Sequence, residues 1–295
     1  IFKKIERLSS KTGRAREREK AIVVSELRRK YSLKELLKLS GLARSTYYYY
    51  VNQKNIDKYE CEKIAITELF NKNKCRYGYR RITIELKNIG YTINHKTVLK
   101  LMRELGLQAK QSKNSKYHSY KGTIGKIADN ILKRDFKADK PFEKLTTDVT
   151  EFKIGNEKVY LSPVLDLFNR EIISYSISTS PNLQQIREML NGLFDKLPLD
   201  AKPIFHSDQG WQYQHAEYQR LLKEHNIIQS MSRKGNCMDN GTMENFFGRL
   251  KVEMFYGEHF QTVDEFINCL KVYIDYYNND RIITKLKMSP VNYRT

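Results

Sequence analysis

At residue 141 the apolar residues of this 295-residue chain change their period. Before it they recur every three or four positions, as in amphipathic helices; after it they alternate, as in strands with one buried face. Residues 145–152, 158–166 and 171–178 read as strands. Gly155-Asn156 is a tight-turn signal that pairs the first two as a hairpin, and the third joins as another antiparallel partner. The pattern then becomes mixed. It predicts a helix over 183–197, a buried strand over 204–207, a helix over 216–225 and a short strand over 227–231. A Gly/Asn/Asp-rich loop over 233–241 follows, then helices over 243–251 and 262–277. Three antiparallel strands followed by helix–strand–helix–strand–helix make this half an α/β unit.

Charge divides at the same place. Residues 1–140 hold 35 Lys+Arg against 14 Asp+Glu, a net +21, whereas 141–295 hold 18 against 20, a net −2. A polyanion-binding half followed by a near-neutral folded half fits this asymmetry better than a uniformly basic surface. Residues 1–20 read as a helix, in which Ile1, Ile5 and Leu8 would suit either the tail of a coiled coil or an ordinary amphipathic face. Residues 21–55 read as a helix-turn-helix: one helix to Lys30, a second capped by Ser32 and ended by Gly41, and a third beginning at Arg44. Arg44, Ser45 and Tyr47 stand near the start of that third helix, where a recognition helix meets DNA. A plain helical hairpin is the alternative.

Residues 56–110 repeat the theme. Arg76-Tyr-Gly-Tyr-Arg-Arg81 leads into a helix with Ile82, Leu86 and Ile89 on one face, ended by Gly90. Asn94 caps the next helix, which buries Val98, Leu101, Met102 and Leu105 and turns Lys96, Lys100 and Arg103 outward. Arg76, Tyr77, Tyr79, Arg80 and Arg81, with Lys96 and Lys100, are the candidate phosphate and base contacts. Residues 111–140 read as a basic linker, 141–256 as a catalytic core and 257–295 as a helical C-terminal extension.

Three acids in the second half stand where sheet-based chemistry is built. Asp148 lies within the first strand, Asp208 follows the strand Ile204–Ser207, and Glu244 opens a helix that also carries Asn240 and Lys251 on one stripe. Such carboxylates can converge on two hard divalent ions, magnesium or manganese, as phosphoryl transfer on DNA requires. Singly, each acid is as well explained by a turn, a cap or a solvated helix face, and Asp166, Glu151 and Asp239 are rival ligands. There is no G-x-S-x-G, no H-E-x-x-H and no phosphate-binding glycine loop. Cys61, Cys75, His95 and His118 lack zinc-finger spacing, so no zinc is expected. The cysteines form no C-x-x-C and no apolar run would span a bilayer, which fits a cytoplasmic protein with no membrane partner.

Together these motifs resemble bacterial insertion-sequence transposases of the IS-three family over about residues 20–295. The likeness rests on Thr146-Thr-Asp-Val-Thr150, His206-Ser-Asp-Gln-Gly210, Ser232-Arg-Lys-Gly-Asn-Cys-Met-Asp-Asn240 and Glu244-Asn-Phe-Phe-Gly-Arg-Leu-Lys251. It also rests on Arg76–Arg81, Leu101-Met-Arg-Glu-Leu-Gly106, Tyr277-Asn-Asn-Asp-Arg281 and Leu286-Lys-Met-Ser-Pro-Val-Asn-Tyr-Arg294. Gly241-Thr242 departs from the small apolar residues usual before the glutamate. The resemblance implies an α/β ribonuclease H-like, integrase-type core preceded by all-α helix-turn-helix domains. It implies an Asp-Asp-Glu triad of Asp148, Asp208 and Glu244, with Lys251 as a basic residue on the DNA end. It implies binding to terminal inverted repeats, strand cleavage and transfer into target DNA, and a bacterial, nucleoid-associated setting. It also implies a product joined from two reading frames, which fits a chain opening on Ile1 rather than Met.

Two other functions fit the residues less well. A non-catalytic helix-turn-helix regulator has no need of the triad. A ribonuclease H-like nuclease has no need of two base-reading modules. Joining two DNA ends requires two triads, so a homodimer or higher homo-oligomer on DNA is expected.

Overall fold

The computed structural model describes residues 14–28, 30–52, 58–110, 127–233 and 237–294. The expected coiled-coil tail and most of the expected linker lie outside them. The chain divides between Ile64 and Ala65 into two compact units.

The first unit holds α1 (Arg14–Leu27), α2 (Leu33–Ser40) and α3 (Arg44–Asn52). Ser32 caps α2, its hydroxyl taking the Glu35 N–H and donating to the Glu35 carboxylate at 2.8 Å. Gly41 ends α2 in the left-handed region at φ 62°, its N–H returning to the Leu37 carbonyl. Ala21, Val24, Leu36, Leu42 and Tyr47 form the core of these three helices. Helix α1 runs through the division expected at 20/21, because no glycine, proline or cap interrupts the chain there.

Helix α4 (Glu60–Lys72) crosses the boundary between the units. In the second unit α5 (Tyr79–Asn88) and α6 (His95–Glu104) follow, and the Asn94 side chain caps α6 by accepting the Lys96 N–H at 2.8 Å. Val98, Leu101 and Met102 are buried as expected. Ile89 and Leu105 fall at the helix ends and are exposed.

The sheet contains β1 (Lys144–Thr147), β2 (Thr150–Ile154), β3 (Glu157–Asp166), β4 (Ile172–Ser178), β5 (Ile204–Ser207) and β6 (Ile228–Met231). Strands β1 and β2 both run antiparallel to β3 in one continuous register, Leu145 opposite Asp166 and Thr150 opposite Leu161. The single strand expected over 145–152 is therefore broken at Asp148-Val149. Continuing the register sets Asp148 opposite Pro163, which has no N–H to give, so the ladder opens at this acid. Strand β4 lies antiparallel on the far side of β3, while β5 pairs parallel with β1 and β6 parallel with β5. Reading across, the order is β4, β3, β1 with β2, β5, β6: the ribonuclease H-like arrangement.

Helices α7 (Leu183–Phe194), α8 (Trp211–Gln214) and α9 (Ala216–Glu224) accompany one face, where Leu145, Val164, Phe205, Met189, Leu193 and Leu222 are buried together. The other face is covered by α10 (Gly241–Leu250) and α11 (Val263–Asn279). There Phe152, Leu161 and Leu165 meet Met243, Phe246 and Leu250 of α10 and Phe266, Leu270 and Ile274 of α11. The segment expected as a C-terminal extension thus supplies Phe266, Leu270, Tyr273, Ile274 and Tyr277 to this core layer. Leu132 of the expected linker is buried in the same layer, as are Phe136 and Ala138 in part. A short final helix, α12 (Pro290–Arg294), completes the chain.

Candidate active site

Asp148 is an even-numbered neighbour of Phe152 and Ile154, so it shares the sheet face that α10 covers. The break opposite Pro163 releases its strand from the ladder. The Val149 N–H is taken by Asp148 Oδ1 at 2.8 Å. Asp208 follows β5, the parallel neighbour of β1, and its Oδ1 accepts the Gly210 N–H at 2.8 Å, an Asx turn that fixes the carboxylate at the strand end. One oxygen of each acid is thus held by backbone.

Glu244 stands in the first turn of α10. What sets this helix against β1 is Asn240, which is buried. Its Oδ1 accepts from Thr146 Oγ1 at 2.5 Å and its Nδ2 donates to the Thr147 carbonyl at 3.1 Å, on the two residues before Asp148. Thr242 also accepts from Arg170 Nη1 at 2.9 Å. Asn240 stands out in the sequence only for its stripe; its clamp role needs the fold.

The electrostatics follow from burial and like charge. Burial, then the neighbouring Asp208 and Glu244 charges, push the Asp148 carboxyl well above the usual carboxylate range. Asp208 and Glu244 are raised by burial too. Lys251, at the end of the same helix, is lowered by burial but held up by Asp148 and Glu151. Its ammonium lies 5.4 Å over the Phe152 ring. Among the described residues no three His, Cys, Asp or Glu side chains are gathered closely enough to ligate one ion. The donor set nonetheless suits a hard cation: oxygen ligands only, mutually repelling, with one weakened lysine as local counter-charge.

The rival acids are accounted for elsewhere. Asp239 is fully buried, and its carboxylate accepts from Arg233, Arg134 and Asn130 at 2.7–3.1 Å, which holds it well below the usual range. Asp166 accepts the N–H groups of Phe142 and Phe168, and burial raises it to about 6. Glu151 pairs with Lys158 across the β2–β3 hairpin. His206, on β5, bridges Ser230 and Ser232; burial lowers it to about 4, so the imidazole is neutral and ties β5 to the β6 end.

Several residues expected to touch DNA do something else. Tyr47 is fully buried in the first unit, because on a short helix packed on two others the fourth residue turns inward. Tyr77 is fully buried; its hydroxyl accepts the Ile282 N–H at 2.7 Å and donates to the Asp280 carbonyl. Arg76 donates Nε to the Glu253 carbonyl and lies over Tyr273 and Tyr276. Arg81 donates to the Ile282 carbonyl and stands 3.6 Å from Glu253. Tyr47 and Tyr77 are therefore core residues rather than DNA contacts, while Arg76 and Arg81 are half-buried and engaged by the protein itself. Arg44, Ser45, Arg80, Lys96 and Lys100 are exposed, and Tyr79 is half-buried against His95.

Glu253, the shared partner of Arg76 and Arg81, carries no signal in the sequence. After Lys251 the helix widens into one π turn, Lys251–Phe255, which turns Val252, Glu253 and Met254 inward in succession. Glu253 then accepts from Arg281 Nε and Nη2 at 2.8 and 2.7 Å and from Tyr273 at 3.0 Å.

Models of the integrase core domain match residues 138–237 and 244–295, and an HTH-like domain matches 57–115. The putative transposase InsK of insertion sequence IS150 from Escherichia coli K12 is 50% identical over 274 residues, 92% of this chain and 96% of that protein. Transposase InsF of insertion sequence IS3A, from the same organism, is 33% identical over 263 residues, 85% of this chain and 91% of that one. A solved HTLV-2 integrase catalytic core domain in complex with magnesium is 17% identical, covering 54% of this chain and 98% of that chain at a TM-score of 0.38. Matched to such relatives over nearly the whole length of both proteins, this chain belongs to the insertion-sequence transposases of the IS-three family, and its function is DNA transposition.

Proposed function

We propose that this transposase cuts and joins DNA strands at Asp148, Asp208 and Glu244, with a divalent cation bound between them. The observation that supports the reading is that the Asp148 carboxyl is raised by burial and by the Asp208 and Glu244 charges, the three acids being carried by two adjacent parallel strands and a helix clamped to one of them. Two ions, magnesium or manganese, would relieve that repulsion and supply the Lewis acidity that activates the attacking hydroxyl and stabilises the leaving oxygen. The protein's own part is placement. Backbone N–H groups hold one oxygen of Asp148 and of Asp208, and Asn240 holds the helix of Glu244. Lys251, beside Asp148, is positioned to hold the phosphate of a DNA end.

The substrate would be the terminal inverted repeats of the element and then target DNA. Arg44, Ser45, Tyr79, Arg80, Lys96 and Lys100 would contribute contacts from the helical modules. Two ends need two triads, so the working form would be a homodimer or larger on DNA. The test is strand cleavage and transfer on end DNA with magnesium or manganese. Single changes Asp148→Asn, Asp208→Asn and Glu244→Gln should each abolish both steps, as groups acting as a unit do. Robust transfer by the Glu244→Gln protein would assign the role to another acid.

A further inference from the structure

On the solvent side of α10, cavities of about 450 and 680 Å³ adjoin, sharing Arg81, Asn245, Arg249 and Thr284 along their common wall. Together they form one channel. Its floor is the helix stripe Asn245, Gly248, Arg249 and Val252, and Glu244 lines the larger cavity. The channel therefore opens directly beside the proposed site of strand cleavage.

Its walls are cationic. Arg80 and Lys110 border the larger cavity, Arg170 and Lys285 the smaller, and Arg249 both. Among the described residues no carboxylate lines the smaller cavity. In the larger one, apart from Glu244, the acid is Glu253, which Arg281 and Arg81 neutralise. Lys110 is ion-paired with Glu258, whereas Arg80, Arg249 and Lys285 are exposed. Gly248 keeps the floor open: a Cβ built there would meet nothing within 4 Å.

We propose that this channel seats the phosphodiester backbone of the DNA strand on its way to or from Glu244, with Arg249 and Lys285 as phosphate contacts. The proposal rests on the strand-cleaving reading above. A cation-lined channel continuous with an acid of the triad is matched by an anionic chain whose scissile phosphate lies at that acid, and phosphate contacts fix position without reading sequence. Of the basic residues lining the channel the sequence marks Arg76, Arg80 and Arg81 as DNA contacts and misses Lys110, Arg170, Arg249, Arg281 and Lys285, which are scattered along the chain.

Three measurements test it on the full chain with end DNA. The first is binding without metal across a salt series. Arg249→Ala with Lys285→Ala should lower affinity at least tenfold and reduce the slope of log K against log salt by about 2, one for each phosphate no longer neutralised. Thermal midpoints should stay near wild type, since both side chains are exposed; Arg249→Lys with Lys285→Arg should keep the slope. An unchanged slope in a folded double alanine variant would overturn the proposal. The second is disulfide trapping of Gly248→Cys by DNA carrying a thiol tethered at single phosphates. Trapping should peak at phosphates within a few nucleotides of the cleaved bond, and trapping no better than wild type would overturn the proposal. The third is metal-dependent cleavage by the wild-type protein. Its absence would defeat the catalytic reading, while the salt slope and the trapping still decide the channel.

Discussion

The pair Glu253–Arg281 offers the sharpest stability test. Arg281 is 2% exposed and Glu253 4%, and two charge-assisted hydrogen bonds at 2.7 and 2.8 Å join them. Tyr273 and Arg81 add a third and fourth contact to the same carboxylate. Glu253→Gln keeps the volume but removes the charge, leaving Arg281 buried and uncompensated. Breaking one partner of a buried pair costs about 3–5 kcal/mol. For a unit spanning residues 65–295 each kcal/mol moves the midpoint by roughly 2–4 °C, so the Tm should fall by about 6–20 °C. Glu253→Met with Arg281→Met should recover most of the loss, because apolar replacement of both charges removes their desolvation cost. Neighbouring charges hold the Glu253 carboxyl below its ordinary value. Its contribution is therefore present above the unfolded value of about 4.3 and lost as pH falls through the folded one, so the gap between wild type and Glu253→Gln should close in acid. Calorimetry across pH, with hydrogen exchange at the Ile282 amide bonded to Tyr77, reads both effects. A Glu253→Gln protein within about 1 kcal/mol of wild type, or a double variant worse than the single one, would refute the reasoning.

Four further outcomes follow from the site. Asn240→Ala should cost about 1–3 kcal/mol from the unpaired buried groups on Thr146 and Thr147, and should reduce strand transfer even well below its midpoint, as transfer assays and thermal unfolding compared side by side will show. Without metal, Asp148→Asn should be more stable than wild type, by roughly the 0.5–2 kcal/mol of a single stabilising substitution, because burial and Asp208 both oppose the Asp148 charge. With magnesium at about 100 times its Kd, wild type should gain about 2.7 kcal/mol and Asp148→Asn much less. Asp239→Asn should destabilise, leaving Arg233 and Arg134 with a weaker acceptor, yet keep the magnesium-induced rise in Tm; loss of that rise would make Asp239 a ligand. Tyr47→Phe should leave DNA binding intact and stability equal or higher, since its buried hydroxyl has no hydrogen-bond partner among the described residues, while Arg44→Ala weakens binding.

What the sequence reveals and what it hides separate along a physical line. Period-2 alternation locates the strands because burial of one face writes itself into neighbouring residues. Caps such as Ser32 and Asn94 are equally local and equally readable. The break at Asp148 is not local: it depends on Pro163 arriving opposite through the register. Nor is the fate of Arg76–Arg81. An arginine beside a tyrosine looks the same in sequence whether its partner is a phosphate or the carboxylate of Glu253, far along the chain. The net charge of +21 in residues 1–140 therefore overstates what DNA meets. Between Arg76 and Arg81, Arg80 alone keeps an exposed guanidinium; Arg76 and Arg81 brace the π turn that follows Lys251. The same segment lends rigidity to the helix of Glu244 from behind and a wall to the channel in front, so changes at Arg81 should move stability first, and changes at Arg80 should move DNA affinity first.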